Sequence, residues 1–367
     1  MPRPILAVHR RANRRLQAEV AASRSYSRMV NAVPIRAAWI AGLILLIAAV
    51  LLSLAVGAYP IPMKAVLTGQ LTDAEWLVLT GLRAPRVLAA CAGGAAFALA
   101  GAALQALFRN PLADPGLLGV PAAAGLGAAT ALIVVGGGVA LWIGALSGAA
   151  LAMLGMLLAV QRGVGGAVGT GASAGSTTTL LLLGIAINAA CAAGLAILTA
   201  LASEGQLKTL AFWMLGSFAS LTWNVVIALC VVAVVSAFAL QSVAPALGAL
   251  LMGERAARSV GVDLKRLRIR VAVVTAAAVA VVTAFCGGVA FVGLAAPHLA
   301  RLSVGASPRY VLPLSALIGA LLCVLADVVA RSIAPPIELP VGAITAILGV
   351  PLLITMIVRG GQGRRLR

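Results

Sequence analysis

Charged side chains are rare in the apolar stretches of this sequence, so each of them is a candidate for chemistry. Asp327 and Arg331 lie four residues apart near the end of one apolar stretch, and Glu338 follows Pro335-Pro336. The four-residue spacing predicts that Asp327 and Arg331 share a helical face and form an ion pair. Transporters driven by protons or sodium need buried acids as relays or ligands. Because these stretches hold so few acids, a secondary transporter stays only as the alternative class.

Two arginines open another apolar stretch, in the order Arg83-Ala84-Pro85-Arg86. Proline pre-sets the first turn of a helix, so we expect both guanidinium groups to point out of the membrane on its outer side. Arg331 ends its own stretch on the same side. These arginines either snorkel to the membrane interface or bind an acidic soluble partner.

The other reactive residue types exclude several kinds of site. His9 and His298 are the only histidines, and they are too far apart for a histidine metal site. None of Lys64, Lys208 and Lys265 follows a glycine, so the G-x-x-x-x-G-K loop of nucleotide-binding proteins is missing. The five cysteines share no C-x-x-C spacing and are interpreted as small buried hydrophobes. The sequence thus predicts no catalytic residue, metal site or cofactor in this chain, and any ATP and Mg²⁺ bind to another chain.

The composition indicates that elements surrounded by lipid must position these residues. The chain has 367 residues, of which 62% are hydrophobic and 10% charged, whereas soluble domains are roughly 45–50% apolar and about 25% charged. A soluble enzyme of this composition could not cover its surface with polar groups. The solvent of most of this protein is therefore lipid.

Apolar length predicts ten membrane spans, since a spanning helix needs about 20 apolar residues. The first stretch is too long for a signal peptide, whose apolar region has roughly 7–15 residues, and we expect it to stay uncleaved. Cys286-Gly287-Gly288 and Pro297 break the least regular pair of stretches, which could include a half-helix. The predicted spans are 37–58, 86–107, 115–136, 138–160, 178–202, 222–242, 269–286, 288–303, 309–331 and 338–358.

The positions of the basic residues orient these spans. With ten spans and both termini cytoplasmic, most of the 27 lysines and arginines lie inside, as the positive-inside rule requires. This topology explains the net charge of +18 without a nucleic-acid partner. Residues 1–36 are then a basic cytoplasmic tail, expected to be disordered, and 360–367 form a second basic tail. The outer side keeps only Lys64, Arg83, Arg86, Lys208 and Arg331.

The longest polar inner segment is 246–268, and it contains a predicted short amphipathic helix between Gly253 and Gly261. Ala256, Ala257 and Val260 form its predicted apolar side. A helix this short is marginal in water by itself. It therefore either lies on the membrane surface or inserts into a cytoplasmic protein.

Two irregular inner segments, 108–115 and 169–179, are rich in Pro, Asn, Gly, Ser or Thr. Irregular backbone at membrane depth is tolerated where it is buried in protein or lines a cavity. Both segments could narrow a pathway, although a plain loop is the simpler interpretation. Small residues at Gly93, Gly101 and the pair Gly144/Gly148 are spaced for close packing of helices in lipid.

Several of these stretches together resemble the FecCD family of ABC-transporter permeases, the type II importers of iron-siderophores, haem and cobalamin. The most specific motifs are NPLADPGLLG at 110–119 and PHLARL at 297–302. The resemblance runs in family order from about Gly57 to Arg359. The matching stretches are 83–120, 180–189, 212–223, 250–268, 287–302 and 326–357.

The resemblance implies an all-α polytopic membrane protein with ten transmembrane helices in residues 37–359. It further implies a homodimer in the bacterial inner membrane, with the pathway on the two-fold axis. Two cytoplasmic ATPases, which bind ATP and Mg²⁺, and a periplasmic binding protein would complete the complex. This chain would carry out no covalent chemistry and would alternate between outward and inward states. The 212–223 stretch is most like haem permeases, with ferric siderophore and cobalamin as alternative cargoes.

The resemblance also assigns roles to individual residues. Arg83, Arg86 and Arg331 match arginines that meet glutamates of the binding protein. Asn110 and Leu112 match one cytoplasmic gate, and Ser176 and Thr177 match the other. The residues that match the coupling helix, which enters the ATPase groove, are Glu254, Arg255, Ala256, Arg258, Ser259, Gly261 and Val262.

Overall fold

The computed structural model describes residues 35–57, 59, 61–161, 177–219, 221–334 and 337–365. Within these residues all regular secondary structure is helical, which confirms the all-α prediction. The predicted disordered tail 1–36 lies outside the described residues except for its last two positions.

The helices are numbered in chain order. A π-helical turn, Leu79–Arg83, joins α3 to α4, and a 3₁₀ turn, Pro115–Leu118, precedes α5. The α-helices are α1 (Ile35–Ala55), α2 (Met63–Thr68), α3 (Asp73–Val78), α4 (Ala84–Phe108), α5 (Val120–Val134), α6 (Val139–Gln161), α7 (Thr177–Leu201), α8 (Glu204–Leu215), α9 (Trp223–Ser242), α10 (Ala244–Leu251), α11 (Glu254–Ser259), α12 (Leu264–Cys286), α13 (Val292–Val304), α14 (Pro308–Ser332) and α15 (Val341–Arg365).

A helix occupies each of the ten predicted spans, but the helices differ in length. Seven of them are long and apolar enough to cross a membrane, namely α1, α4, α6, α7, α9, α12 and α14. Helix α5 has 15 residues, or about 22 Å, whereas the apolar layer is about 30 Å thick. Because α5, α13 and the apolar part of α15 are short, the count of ten crossings stays a prediction.

Helix α4 forms the centre of the bundle. It is 25 residues long and nearly all of it is buried, because its alanines and glycines let neighbouring helices approach its backbone. A Cβ on Gly94 would collide with the backbone of Gly319 in α14, and one on Gly101 with that of Gly293 in α13. Lipid gives no hydrophobic drive between helices, so such close backbone contact holds them together.

The glycine pair of α6 has the same role. A Cβ on Gly144 would meet the carbonyl of Gly127 in α5, and one on Gly148 the carbonyl of Ala123. The structure thus confirms close packing at Gly101, Gly144 and Gly148. Gly93 has room for a methyl group and is not a close contact.

The irregular stretch after α12 was only partly predicted. The break falls at Gly287, whose φ of +70° favours glycine, as expected. Pro297, however, lies inside α13 and does not end a helix, so that part of the prediction was wrong. Proline has no N–H to donate to the carbonyl of Gly293 four residues earlier, and the side-chain amide of Gln105 donates to that carbonyl instead, at 3.2 Å.

Three chain segments meet at this break. Ser217 N–H donates to the carbonyl of Cys286 (2.9 Å), and Val341 N–H donates to the carbonyl of Gly216 (3.0 Å). The ends of α8 and α12 and the start of α15 are thereby joined through main chain, which we call the main-chain junction. Buried backbone in lipid must satisfy its hydrogen bonds within the protein, and this junction does so.

Candidate functional site

Five charged residues form one cluster at the outer end of the bundle, which we call the outer charge network. They are Arg83 and Arg86 at the start of α4, Asp327 and Arg331 near the end of α14, and Glu338 just before α15. The network joins elements that are far apart in the sequence.

Asp327 is the centre of this network. The Nε of Arg86 lies 2.8 Å from Oδ1 and 3.0 Å from Oδ2 of Asp327, and its Nη1 lies 2.7 Å from Oε1 of Glu338. The Nε of Arg331 lies 3.6 Å from Oδ2 of Asp327, which confirms the pair predicted from spacing. Arg331 also donates to the hydroxyl of Ser53 in α1 at 2.6 Å.

Arg83 binds the end of α1. Its Nη1 donates to the carbonyls of Leu54 and Ala55, the latter at 2.8 Å, and its Nη2 donates to the carbonyl of Tyr59. The last carbonyls of a helix have no partner within the helix, so Arg83 supplies the donors that α1 lacks.

The expected outward orientation of these arginines was wrong. Arg83 is 5% exposed and Arg331 8% exposed, and the Arg86 side chain is 12% exposed. Glu338, with 44% of its side chain exposed, is the accessible member of the network. The physical reason is that carboxylates, carbonyls and the Ser53 hydroxyl within the chain pair with the guanidinium groups, whereas unpaired buried charge is costly.

The predicted amphipathic helix at the inner end is α11, Glu254–Ser259. Glu254 attaches it to the bundle, since its Oε1 lies 2.6 Å from Nη2 of Arg268 in α12. Ala257 is fully buried, but Val260 is 65% exposed. Val260, which follows the last residue of α11, therefore stays available to the membrane surface or to a partner, the two alternatives predicted for this apolar side.

Most of the remaining residues of this segment are exposed. Arg255, Arg258, Ser259 and Gly261 are exposed, and Ala256 and Val262 are half-buried. Met252 and Val260 add exposed apolar area to this basic surface. Exposed apolar side chains beside basic ones are typical of a surface that binds another protein.

The segment between α4 and α5 forms the first predicted gate. Asn110 and Leu112 are both exposed, and Leu112 N–H donates to Oδ1 of Asn110 at 2.9 Å. Asp114 accepts from Gly116 N–H at 2.8 Å, and burial raises the pKa of the Asp114 carboxyl. Helix α7 holds this segment in place, since Asn188 Nδ2 donates to the carbonyl of Gly116 at 3.1 Å.

The second predicted gate is described only at its edge. Ser176 lies outside the described residues, and Thr177 is the first residue of α7, with its side chain also outside the description. Sequence reasoning missed Asn188, which lies in the matching stretch 180–189. Its signal was an amide within an apolar helix, where polar side chains need a partner.

A cavity of about 360 Å³ lies between the first gate segment and the main-chain junction. Phe97, Met214, Leu215 and Val289 supply apolar walls, and Asp114 is its charged residue. Since most of this lining is apolar, it offers few polar groups that could hold a bound molecule tightly.

The profile of the FecCD transport family matches residues 45–359 of this chain. The chain belongs to the FecCD transport family. It is accordingly the permease of an ABC importer, a multi-pass membrane subunit, with the family's catalysis carried by other subunits. The family implies an ATPase and a substrate-binding protein as partners of this FecCD permease.

Curated relatives of this FecCD permease serve more than one cargo. The hemin transport system permease protein HmuU of Yersinia pestis is 32% identical over 333 residues, covering 88% of this chain and 95% of HmuU. The vitamin B12 import system permease protein BtuC of Salmonella typhimurium is 37% identical over 300 residues, covering 78% of this chain and 87% of BtuC.

Solved structures agree with the family. An ABC transporter described as being of metal-chelate type, in an inward-facing conformation, matches with a TM-score of 0.77 and 28% identity, covering 87% of this chain and 98% of its own. PsaBC from Streptococcus pneumoniae matches with a TM-score of 0.50 and 13% identity, which shows a shared fold alone. The type II ABC importer permease fold predicted from sequence is confirmed.

Proposed function

We propose that this FecCD permease imports haem across the bacterial inner membrane. It does so as a homodimer, with two cytoplasmic ATPases that bind ATP and Mg²⁺ and a periplasmic binding protein that delivers the cargo. The observation that carries haem is the match to the hemin permease, which extends over 88% of this chain and 95% of that protein. This chain needs no cofactor of its own for that work.

Cobalamin is the second candidate cargo. The vitamin B12 permease shares higher identity, 37%, over a shorter match of 300 residues. Ferric siderophore is the third, since the matching solved transporter is of metal-chelate type. The apolar cavity near Phe97 and Val289 does not favour one of the three, because its lining has no side chain specific to any of them.

We expect the movement of the ATPases to reach the permease through residues 254–262, the coupling segment. Arg255, Arg258, Ser259 and Val260 would contact the ATPase, while Glu254 would transmit the movement to α12 through Arg268. Two observations support these roles. The four residues proposed to contact the ATPase are exposed, and Glu254 lies 2.6 Å from Arg268 in an ion pair. The movement would shift the population between outward and inward states.

The proposed gates are Asn110 and Leu112 on one side and Ser176 and Thr177 on the other. Helix α7 begins at Thr177 and holds the first gate through Asn188. A displacement of α7 would therefore move both gates together.

The proposed docking site for the binding protein is the outer charge network. Arg83 would act indirectly by holding the end of α1, and Arg331 by pairing with Asp327. Arg86 would meet the binding protein directly, because its partner Glu338 can be exchanged. A glutamate of the binding protein would replace Glu338 beside Arg86, because Glu338 is the exposed partner and Asp327 the buried one.

Reconstitution with three cargoes tests the proposal. The permease, its ATPase and its binding protein are placed in liposomes, and the binding protein is loaded separately with haem, a ferric siderophore and cobalamin. We expect haem to stimulate ATP hydrolysis and to accumulate inside. Stimulation by cobalamin or siderophore in place of haem would reassign the cargo. Uptake that needs no ATP and collapses with an uncoupler would instead indicate a secondary transporter.

A further inference from the structure

A second cavity, of about 260 Å³, lies at the inner end of the bundle. It is enclosed by the end of α4, the end of α13, the start of α14 and Leu251 of α10. Among its lining residues are Gln105, Arg109, Asn110, Arg301 and Ala306. It is separate from the apolar cavity near the main-chain junction, with which it shares no lining residue.

Arg301 is fixed in this cavity by a buried amide. Its Nη2 donates to Oε1 of Gln105 at 2.6 Å, and Gln105 Nε2 donates in turn to the carbonyl of Gly293 at 3.2 Å. Gln105 is only 3% exposed. In the described part of the chain, no carboxylate lies within salt-bridge distance of Arg301 or Arg109, in contrast to Arg86 and Arg331.

The amide oxygens around the cavity already accept a hydrogen bond, whereas the arginines around it keep N–H groups that can donate. Oε1 of Gln105 accepts from Arg301, and Oδ1 of Asn110 accepts from Leu112 N–H. The guanidinium groups of Arg109 and Arg301 keep unused N–H groups, since each carries five. The cavity lining contains no acidic residue.

We propose that this inner cavity binds a phosphate oxyanion, carried by an anionic phospholipid headgroup or free as inorganic phosphate. A half-buried arginine held by a planar amide suits charge-assisted hydrogen bonds to phosphate. Basic pockets at the ends of membrane helices are also where anionic headgroups bind. The volume has room for the phosphate group and its immediate substituent.

One alternative needs no ligand. Arg301 stands in the last turn of α13, where a cation complements the helix C-terminus. The test must therefore change the charge at the cavity without altering Arg301. Ala306 serves this purpose, because it lines the cavity and is exposed.

The experiment uses the full-length chain, purified in detergent and stripped of lipid. Native mass spectrometry counts bound phosphatidylglycerol and phosphatidylcholine of equal acyl length, and thermal unfolding is followed in phosphate or chloride at equal ionic strength. We expect preferential binding of phosphatidylglycerol, or stabilisation by phosphate, and the two arms identify the source of the ligand. Equal behaviour of both lipids together with equal stability in both salts would overturn the proposal.

Matched variants locate the site. Ala306→Glu should weaken binding about fivefold, whereas Ala306→Gln, of similar size, should retain it. Arg301→Gln should weaken it about tenfold, with partial recovery in Arg301→Lys. Arg309→Gln removes an exposed arginine of α14 that does not line the cavity and should bind as the parent does. If Ala306→Glu matches Ala306→Gln, or Arg301→Gln matches Arg309→Gln, the anion binds elsewhere and the assignment is wrong.

Discussion

Most arginines at the two ends of this permease are used in different ways. At the outer end, Arg83 and Arg331 are buried and Arg86 is half-buried, and each donates to a carbonyl, carboxylate or hydroxyl of another helix or turn. At the inner end, Arg109, Arg255 and Arg258 are exposed, and Arg301 has an amide as its partner. Outer arginines thus fasten helices to one another. At the inner end Arg268 does the same through Glu254, whereas the exposed arginines there keep capacity for partners outside the chain. Four predictions test this difference.

The largest expected effect follows from removing the centre of the outer network. Asp327→Ala leaves Arg86 and Arg331 without their buried carboxylate, and breaking a buried pair costs about 3–5 kcal/mol. Thermal or denaturant unfolding of the purified protein measures this loss. Asp73→Ala, at an exposed acid of α3, should change stability by less than about 0.5 kcal/mol. Equal effects of the two changes would mean that the outer network does not hold the helices.

A smaller loss is expected at the end of α1. Arg83→Gln removes donors from the carbonyls of Leu54, Ala55 and Tyr59. Because these carbonyls are only partly buried, we expect a loss of about 1–2 kcal/mol in all, at the lower end of the cost of unsatisfied acceptors. The comparison at the inner end is Arg255→Gln, an exposed position where the change should be near zero. If Arg255→Gln destabilises the protein as much as Arg83→Gln, the contrast between the two ends fails.

The third prediction concerns binding at the inner end. Glu254→Arg places a cation beside Arg268 and should detach α11 from α12, so that the ATPase co-purifies at least about tenfold less, a loss of about 1.4 kcal/mol. Glu204→Arg makes the same charge change at the first turn of α8 and should leave the complex intact. An intact complex with Glu254→Arg would remove the coupling role from this segment.

The smallest effect is expected at the one accessible outer acid. Glu338→Gln removes the exposed competitor for Arg86 while leaving Asp327 in place, so affinity for the binding protein should rise about threefold, within the range of surface ion pairs. Surface plasmon resonance or an equivalent binding assay in nanodiscs can measure it. Unchanged affinity would contradict the docking role of the outer charge network, which would then only hold helices together. The haem proposal would not be affected.

Local sequence features predicted the local parts of this structure. Apolar length placed a helix in each of the ten spans, and the spacing of Asp327 and Arg331 predicted their pair. The Gly287 break and the close contacts of Gly101 and Gly144 also followed from residue type. Each of these depends on neighbours within one element or on the general packing rule for lipid.

Contacts between distant parts of the chain could not be predicted in this way. Arg86 and Asp327 are 241 residues apart, so spacing gave no indication that Asp327 would bind Arg86 and turn it inward. Glu254 and Arg268 are 14 residues apart in two different helices, so helical periodicity gave no indication of the ion pair that attaches α11 to α12. Asn188 was missed since its acceptor, the carbonyl of Gly116, belongs to a turn 72 residues earlier.

The main-chain junction has a consequence for how cargo preference can diverge. Its bonds at Ser217, Cys286, Gly216 and Val341 use only peptide groups, so they make no demand on side-chain identity beyond the small size of glycine. Side chains that border the adjoining cavity, such as Met214 and Val289, can therefore be exchanged during evolution while the frame is conserved. The curated relatives include a hemin permease and a vitamin B12 permease, so similar chains serve different cargoes. We expect the side chains that border this cavity to differ between such chains more than the main-chain junction does.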